Sequence, residues 1–209
     1  GRTIYENIRK GILYLLTDSF SEVVLILSRF LLHLPLPLLP AQILWINLIT
    51  DGLPDLALTF EPGDPDVLND PPRDRNEPVV TKPMKKVIFL GSVITGLMSL
   101  LGFYVVYRVT QDEVFARSVT FAMLGVDSLF YVFSLRSLRA PIWRSNILAN
   151  KFLLGAVGLG FVLQVVSLYE PHLQKLLNHT PLKTPEFCIL HNEIGVDYAN
   201  CNDHKRAIH

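Results

Sequence analysis

Leu44-Trp45-Ile46-Asn47-Leu48-Ile49-Thr50-Asp51-Gly52-Leu53-Pro54-Asp55 puts amide, hydroxyl and carboxylate groups inside an apolar segment, and its reading decides the fold. On a helix, Asn47, Thr50, Asp51, Pro54 and Asp55 stand at i, i+3, i+4, i+7 and i+8 and share one stripe. Leu44, Ile46, Leu48, Ile49 and Leu53 cover the remaining face. Such a stripe has to point at something polar. Pro54 adds a second signal, because proline removes a backbone donor and frees a carbonyl one turn back, which can then bind an ion. Interrupted helices at membrane depth line sites.

Outward from this stretch, the apolar residues are gathered into runs of membrane-spanning length. Half of the 209 residues are hydrophobic and the formal net charge is zero. A hydrocarbon core about 30 Å thick takes roughly 20 residues of helix, and candidate spans run at 11–34, 41–60, 87–107, 115–135 and 147–169. The expected fold is therefore all-α, a polytopic transmembrane helix bundle of five spans. A short stalk helix at 1–13 precedes a membrane domain at 14–181, and an irregular polar tail at 182–209 is expected to be disordered. The polar start shows no cleavable signal peptide. Neutral charge balance argues against a nucleic-acid partner, so the lipid bilayer is the expected surrounding. Cys188 and Cys201, with His191, His204 and His209 in the same tail, match no metal-ligand spacing.

Thr3 followed by Glu6 predicts a capping box at the start of the first helix. Pro35, Pro37 and Pro40 predict a short apolar turn between antiparallel helices, and 61–86 reads as a polar, proline-rich aqueous loop. Ser92 with Gly96 is a small-xxx-small pair that reads as helix packing, and Gln164 reads as an interhelical hydrogen bond rather than a ligand. Basic residues lie at the chain start, in the 61–86 loop and around Arg136, Arg139 and Arg144. That bias puts the amino terminus on the cytoplasmic side and, after five spans, the tail on the outer side.

Asp18, Glu22, Asp51, Asp55 and Asp127 all fall within proposed spans. An acid at the bilayer centre costs about 2.5–3.5 kcal/mol, so five unpaired ones approach the whole stability of a domain, roughly 5–15 kcal/mol. Protons, basic partners or metal cations must neutralise them. Arg29 is the basic candidate on the stripe of Asp18 and Glu22, and a pair with Glu22 is the structural alternative. Asp18 with Glu22, and Asn47 with Asp51, are i,i+4 pairs whose oxygens form a hard donor set suited to calcium and, to a lesser degree, magnesium or manganese. Asp55 stands nearer the cytoplasmic end, as an access-path residue or one that only reaches water.

Residues 44–54, together with Ser21-Glu22-Val23-Val24 and Pro71-Pro72-Arg73, resemble the carboxy-terminal membrane half of a P-type cation-transporting ATPase of the calcium-pump type. The resemblance spans nearly all of 1–181. It implies that the five spans correspond to membrane helices five to nine of ten, with 1–13 the end of a stalk. It further implies that Glu22, Asn47, Thr50, Asp51 and Asp127 occupy cation-ligand positions; the acidic stripe of this chain adds Asp18, and Ser19 completes the candidate metal set. Pro71, Pro72 and Arg73 would then dock against a phosphorylation domain. Ser19 stands where such pumps carry asparagine, and Asp18 and Asp55 where they carry small or uncharged residues, so the site is more acidic than the family pattern.

The implied cargo is a divalent cation, calcium first, with magnesium and ATP used by the complete pump. The implied partner is the amino-terminal half, with its cytoplasmic domains and first four helices. By itself this piece is expected not to be catalytic, since it holds neither a phosphorylation nor a nucleotide motif. After Thr180-Pro181-Leu182 no tenth span follows in the sequence, which truncation or a changed reading frame would explain. Two other readings of the residues are a free-standing ion channel or secondary transporter and a non-transporting membrane interaction fragment.

Overall fold

The computed structural model describes residues 2–62, 78–136 and 150–180, and every regular element among them is helical. In chain order these are α1 (Arg2–Leu32), α2 (Pro40–Trp45), a π turn (Ile46–Asp51), α3 (Gly52–Leu58), α4 (Lys82–Thr110), α5 (Glu113–Leu135), α6 (Lys151–Tyr169) and α7 (Pro171–Leu177). Four of them, α1, α4, α5 and α6, are each long and apolar enough to cross a membrane. The remaining expected span, 41–60, is assembled from α2, the π turn and α3. Its junctions at Ile46 (φ −55, ψ −57) and Gly52 (φ −63, ψ −41) keep right-handed helical torsions. The helix is thus widened rather than broken by Gly52 and Pro54, which corrects the expectation of an interruption.

Local chemistry explains the other boundaries. α1 is already helical at Arg2, so Thr3 lies inside the helix and the expected capping box does not form. α1 stops where His33 takes a left-handed conformation (φ 51) and the Leu34 N–H reaches back to the Arg29 carbonyl at 3.1 Å. α4 begins at Lys82, inside the expected 61–86 loop, because Pro83 sits in its first turn, where the missing N–H costs nothing. Asp112 caps α5 by accepting from the N–H groups of Val114 and Phe115 at 3.0 and 3.1 Å. α7 is an addition after the last expected span, in a stretch to which the sequence assigns no element. Glu170 caps it through the Leu173 N–H at 2.6 Å, and Pro171 opens it.

Large apolar side chains such as Phe89, Leu90, Ile94, Phe152, Leu159 and Phe161 are exposed along α4 and α6. Such a belt is a liability in water but is the surface a bilayer requires. The fold is therefore that of an integral, multi-pass membrane protein. Inside it, two buried apolar clusters stack along the helix axes. One contains Leu13, Tyr14, Ala57, Leu58, Val132 and Leu135. The other contains Leu25, Leu38, Ile46, Leu100, Phe121 and Leu124. On α1, on the α2–α3 run and on α5, the residues between these clusters are 15–24, 47–56 and 125–131, so a middle layer is left in which the polar residues meet.

The helices close on this layer through small residues. Ser92 is buried and donates to the Thr17 carbonyl at 3.0 Å, and a Cβ at Gly96 would stand 2.8 Å from the Ser21 carbonyl oxygen. The Ser92–Gly96 pair is a packing feature between α4 and α1, as its spacing predicts. Gly160 brings α6 against Leu129 and the Ile49 carbonyl. Gln164 on α6 accepts from the Trp45 indole N–H at 3.1 Å and donates to the Phe121 carbonyl at 3.3 Å, an interhelical bridge and not a ligand.

Candidate functional site

In the middle layer α1 presents Asp18, Ser19 and Glu22 toward the π turn, which presents Asn47, Thr50 and Asp51. Asp18 and Glu22 are each 6% exposed, and Thr50 and Asp51 are wholly buried. Asn47 bridges the two helices: its amide donates to Glu22 Oε2 at 2.9 Å and to the Ile43 carbonyl at 3.0 Å. The Ser19 hydroxyl reaches Asn47 Oδ1 at 3.5 Å, the outer limit of a hydrogen bond. Asp51 Oδ1 accepts from the Ser128 hydroxyl of α5 and, more weakly, from Thr50 Oγ1 at 3.4 Å.

Tyr14 ties these groups together. Its hydroxyl lies 2.6 Å from Ser128 Oγ and 3.1 Å from the Thr50 carbonyl. Pro54 has no N–H to offer that carbonyl, so the proline does free an acceptor, and a phenol takes it. The Tyr14 and Ser128 hydroxyls therefore lie side by side against Asp51, with Ser128 donating to the carboxylate.

Four carboxylate oxygens are buried without any hydrogen-bond partner: Asp18 Oδ2, Glu22 Oε1, Asp51 Oδ2 and Asp55 Oδ1. Buried polar atoms are normally satisfied, so orphaned acceptors at four acids mark a place where something positive is expected. Among the described residues no group of three or more His, Cys, Asp or Glu side chains converges closely enough to hold a metal by itself. A cation held in this layer would have to share carboxylate oxygens with amide, hydroxyl and carbonyl oxygens, a mixture that suits a hard divalent ion.

Some expected participants lie elsewhere. Asp127 is exposed on α5, and none of the hydrogen bonds of the layer reaches it. Asp127 acts on Asp18 through space rather than through a hydrogen bond, while one residue of helix turns the chain by about 100° and brings Ser128 inward. Arg29 sets its guanidinium over the Phe30 ring at 4.6 Å and forms no pair with Glu22, whose bonded oxygen goes to Asn47. Asp55 is half-buried one turn beyond Asp51, with Oδ1 lodged against Gly11 of α1. Pro71, Pro72 and Arg73, like Cys188, Cys201 and the histidines of the tail, lie outside the described residues.

Two polar junctions at the ends of the bundle escape sequence reasoning. At one end, buried Glu61 accepts from Arg136 Nη2 at 2.8 Å and Nε at 2.9 Å, and its other oxygen accepts from Asn150 at 2.8 Å. Asn150 also caps α6 through the Leu153 N–H at 3.0 Å, while Asn7 donates to the Glu61 carbonyl at 2.7 Å. At the other end, the Gln42 amide bonds the Leu177 carbonyl at 3.0 Å and His179 Nδ1 at 3.1 Å. His179 rests on the Phe121 ring at 4.3 Å, and burial, with the positive charge of Arg117 second, lowers its pKa to about 4. The available signals were the stripe of small residues on α5 that carries Ser128 and the Asn150 capping position.

Comparison with known proteins adds a separate observation. The family model described as cation transporting ATPase, C-terminus, matches residues 35–192. The chain is 41% identical over 187 residues to a calcium-transporting ATPase of Bacillus subtilis (strain 168), covering 88% of this chain and 21% of that protein. It is 35% identical over 192 residues to calcium-transporting ATPase 1 of Bacillus cereus, covering 84% and 22%. Against the calcium-transporting ATPase type 2C member 1 of Mus musculus the identity is 32% over 194 residues, covering 91% and 21%. The chain thus spans about a fifth of the length of the curated relatives it matches.

Proposed function

The chain belongs to the family of cation-transporting ATPase carboxy-terminal segments, and from that premise we propose that its middle layer is the transport site of an ATP-driven pump for a divalent cation, calcium first. The ligands are carboxylate oxygens of Asp18, Glu22 and Asp51, the amide oxygen of Asn47 and the hydroxyls of Ser19 and Thr50. Ser128 and Tyr14 orient Asp51. Asp127, whose charge acts on Asp18 without a hydrogen bond to the layer, stands at the edge of this set. The observation that carries the reading is the set of buried, unpartnered oxygens on Asp18, Glu22 and Asp51 beside an amide and hydroxyls. The names of the relatives favour calcium as the cargo.

On this reading the chain supplies ligands and no chemistry. An amino-terminal half would bring the first four helices, the cytoplasmic domains and the magnesium-dependent use of ATP. The amino terminus would then lie on the cytoplasmic side, with 61–86 facing those domains through Pro71, Pro72 and Arg73. The carboxy-terminal tail would lie on the outer side if no tenth helix follows.

The test is equilibrium calcium binding to the complete pump in membranes. Saturable binding lost in Asp51→Asn and weakened in Glu22→Gln is the expected result. Unchanged calcium affinity in a protein carrying both substitutions would overturn the assignment.

A further inference from the structure

A buried polar seam runs from the middle layer to the end of the bundle where α3 finishes. On α1 its members are Glu22, Asp18, Tyr14, the adjacent Gly11 and Lys10, and Asn7; apart from that adjacent pair the steps are three or four residues, which keeps them on one face. Lys10 is 5% exposed and Asn7 3%, unusual burial for such residues at the end of a helix. The opposing face carries Asp51 and, one turn on, Asp55. At the end of the seam Asn7 donates to the carbonyls of Thr59 and Glu61 at 3.2 and 2.7 Å, so α1 and the end of α3 are pinned together there.

Asp55 differs from every other acid on this seam. Asp51 is wholly buried with Oδ2 unpartnered, whereas Asp55 is half-buried as a residue, with its Oδ1 enclosed and unpartnered. The enclosed oxygen fits only because α1 has no side chain at Gly11: a Cβ there would collide with Asp55 Oδ1. A half-buried acid with one oxygen enclosed, one helical turn from a wholly buried acid, is placed to pass a cation inward.

We propose that Asp55, seated in the Gly11 notch, is the entry carboxylate through which the cation reaches Asp51 from the face of the membrane on which α3 ends. This rests on reading the Asp51 layer as the transport site. Asp55 concentrates the cation at the mouth and then releases it to ligands that hold it more completely, so it governs the rate of arrival and departure rather than the final affinity. Gly11 acts by keeping the α1 backbone clear of the carboxylate.

The experiment is calcium association and dissociation by stopped flow, with equilibrium binding in parallel, on the complete pump carrying Asp55→Asn, Gly11→Ala or Asp51→Asn. For Asp55→Asn the expected result is association and dissociation both slowed about tenfold, with the equilibrium constant within about threefold. Gly11→Ala retains the acid and should slow both rates in the same way. Association in Asp55→Asn within about twofold of the parent would overturn the proposal, as would a loss of affinity equal to the loss of rate, which would make Asp55 a ligand. Asp51→Asn separates the two readings. If it leaves binding intact, the transport site itself is misassigned; if it abolishes binding while Asp55→Asn changes no rate, only the entry role fails.

Discussion

Asp51 accepts a hydrogen bond from the Ser128 hydroxyl across 77 residues of chain, while Asp127, next to Ser128, faces outward. A neutral hydroxyl thus supports the buried acid from α5. Ser128 donates to Asp51 and its Oγ also lies 2.6 Å from the Tyr14 hydroxyl, so one small side chain touches two partners.

Ser128→Ala removes that donor and leaves Asp51 Oδ1 with only the long contact from Thr50. The expected cost is about 1–3 kcal/mol of stability, the range for stripping a buried charged acceptor of its donor. Asp127→Asn removes no hydrogen bond of the layer and is expected to cost less than Ser128→Ala or to be stabilising, since it takes an acid out of a membrane span. Chemical unfolding in detergent checks both, and equal losses for the two variants would contradict the division of roles between neighbours.

The Glu61–Arg136 pair offers a second test, since both side chains are nearly enclosed at 8% and 3% exposure. Arg136→Met leaves a buried carboxylate with Asn150 as its remaining side-chain donor, and the expected loss is about 3–5 kcal/mol. Adding Glu61→Gln removes the stranded charge and should restore part of that loss. A double-mutant cycle by unfolding in detergent reads the coupling. If the double variant is less stable by the full sum of the two singles, the pair contributes no coupling.

These residues also show what the sequence makes legible. The spans could be read because each needs only a run of apolar residues of bilayer length, a one-dimensional property. Glu22, Asn47 and Asp51 stood out because polar groups inside such runs are costly and few. The π turn at Ile46–Asp51 was not legible as such: Gly52 and Pro54 announce a disturbance, but widening or breaking depends on whether Tyr14 is there to take the Thr50 carbonyl. Asp127 drew notice by its charge, although the buried face of α5 runs through Ala116, Thr120, Leu124, Ser128 and Val132, a stripe of period four that excludes it. Glu61 and Arg136 sit at loop edges, where their meeting depends on tertiary contacts between distant segments.

His179 gives the pH dependence a definite sign. Its pKa in the fold is about 4, below the ordinary value of 6.5, so the fold favours the neutral ring. The contribution is fully present above about pH 6.5 and is lost as pH falls toward 4, where the unfolded or undocked state takes up a proton more readily. A proton on Nδ1 would also face the Gln42 amide that now bonds it. Amide hydrogen exchange along α7 should therefore quicken between pH 6 and 4 relative to α6, and His179→Gln should flatten that difference. Exchange of α7 that tracks α6 throughout the range would show that His179 does not hold it.

Gly96 links packing to the site. A methyl group there would stand 2.8 Å from the Ser21 carbonyl oxygen and equally close to Val24, and a backbone oxygen in a helix cannot turn aside as a flexible side chain would. Gly96→Ala is therefore expected to push α1 away from α4 and to cost about 1–3 kcal/mol despite the better helix propensity of alanine. Glu22 lies between Ser21 and Val24, so the same shift lengthens its bond to Asn47 and should weaken cation binding along with stability. Gly155 on α6 is the control, since a Cβ there meets nothing within 4 Å. Gly155→Ala should be neutral or stabilising by about 0.5–1 kcal/mol. Unfolding and calcium titration of both variants decide the matter: if Gly96→Ala behaves like Gly155→Ala, the α1–α4 contact does not position Glu22.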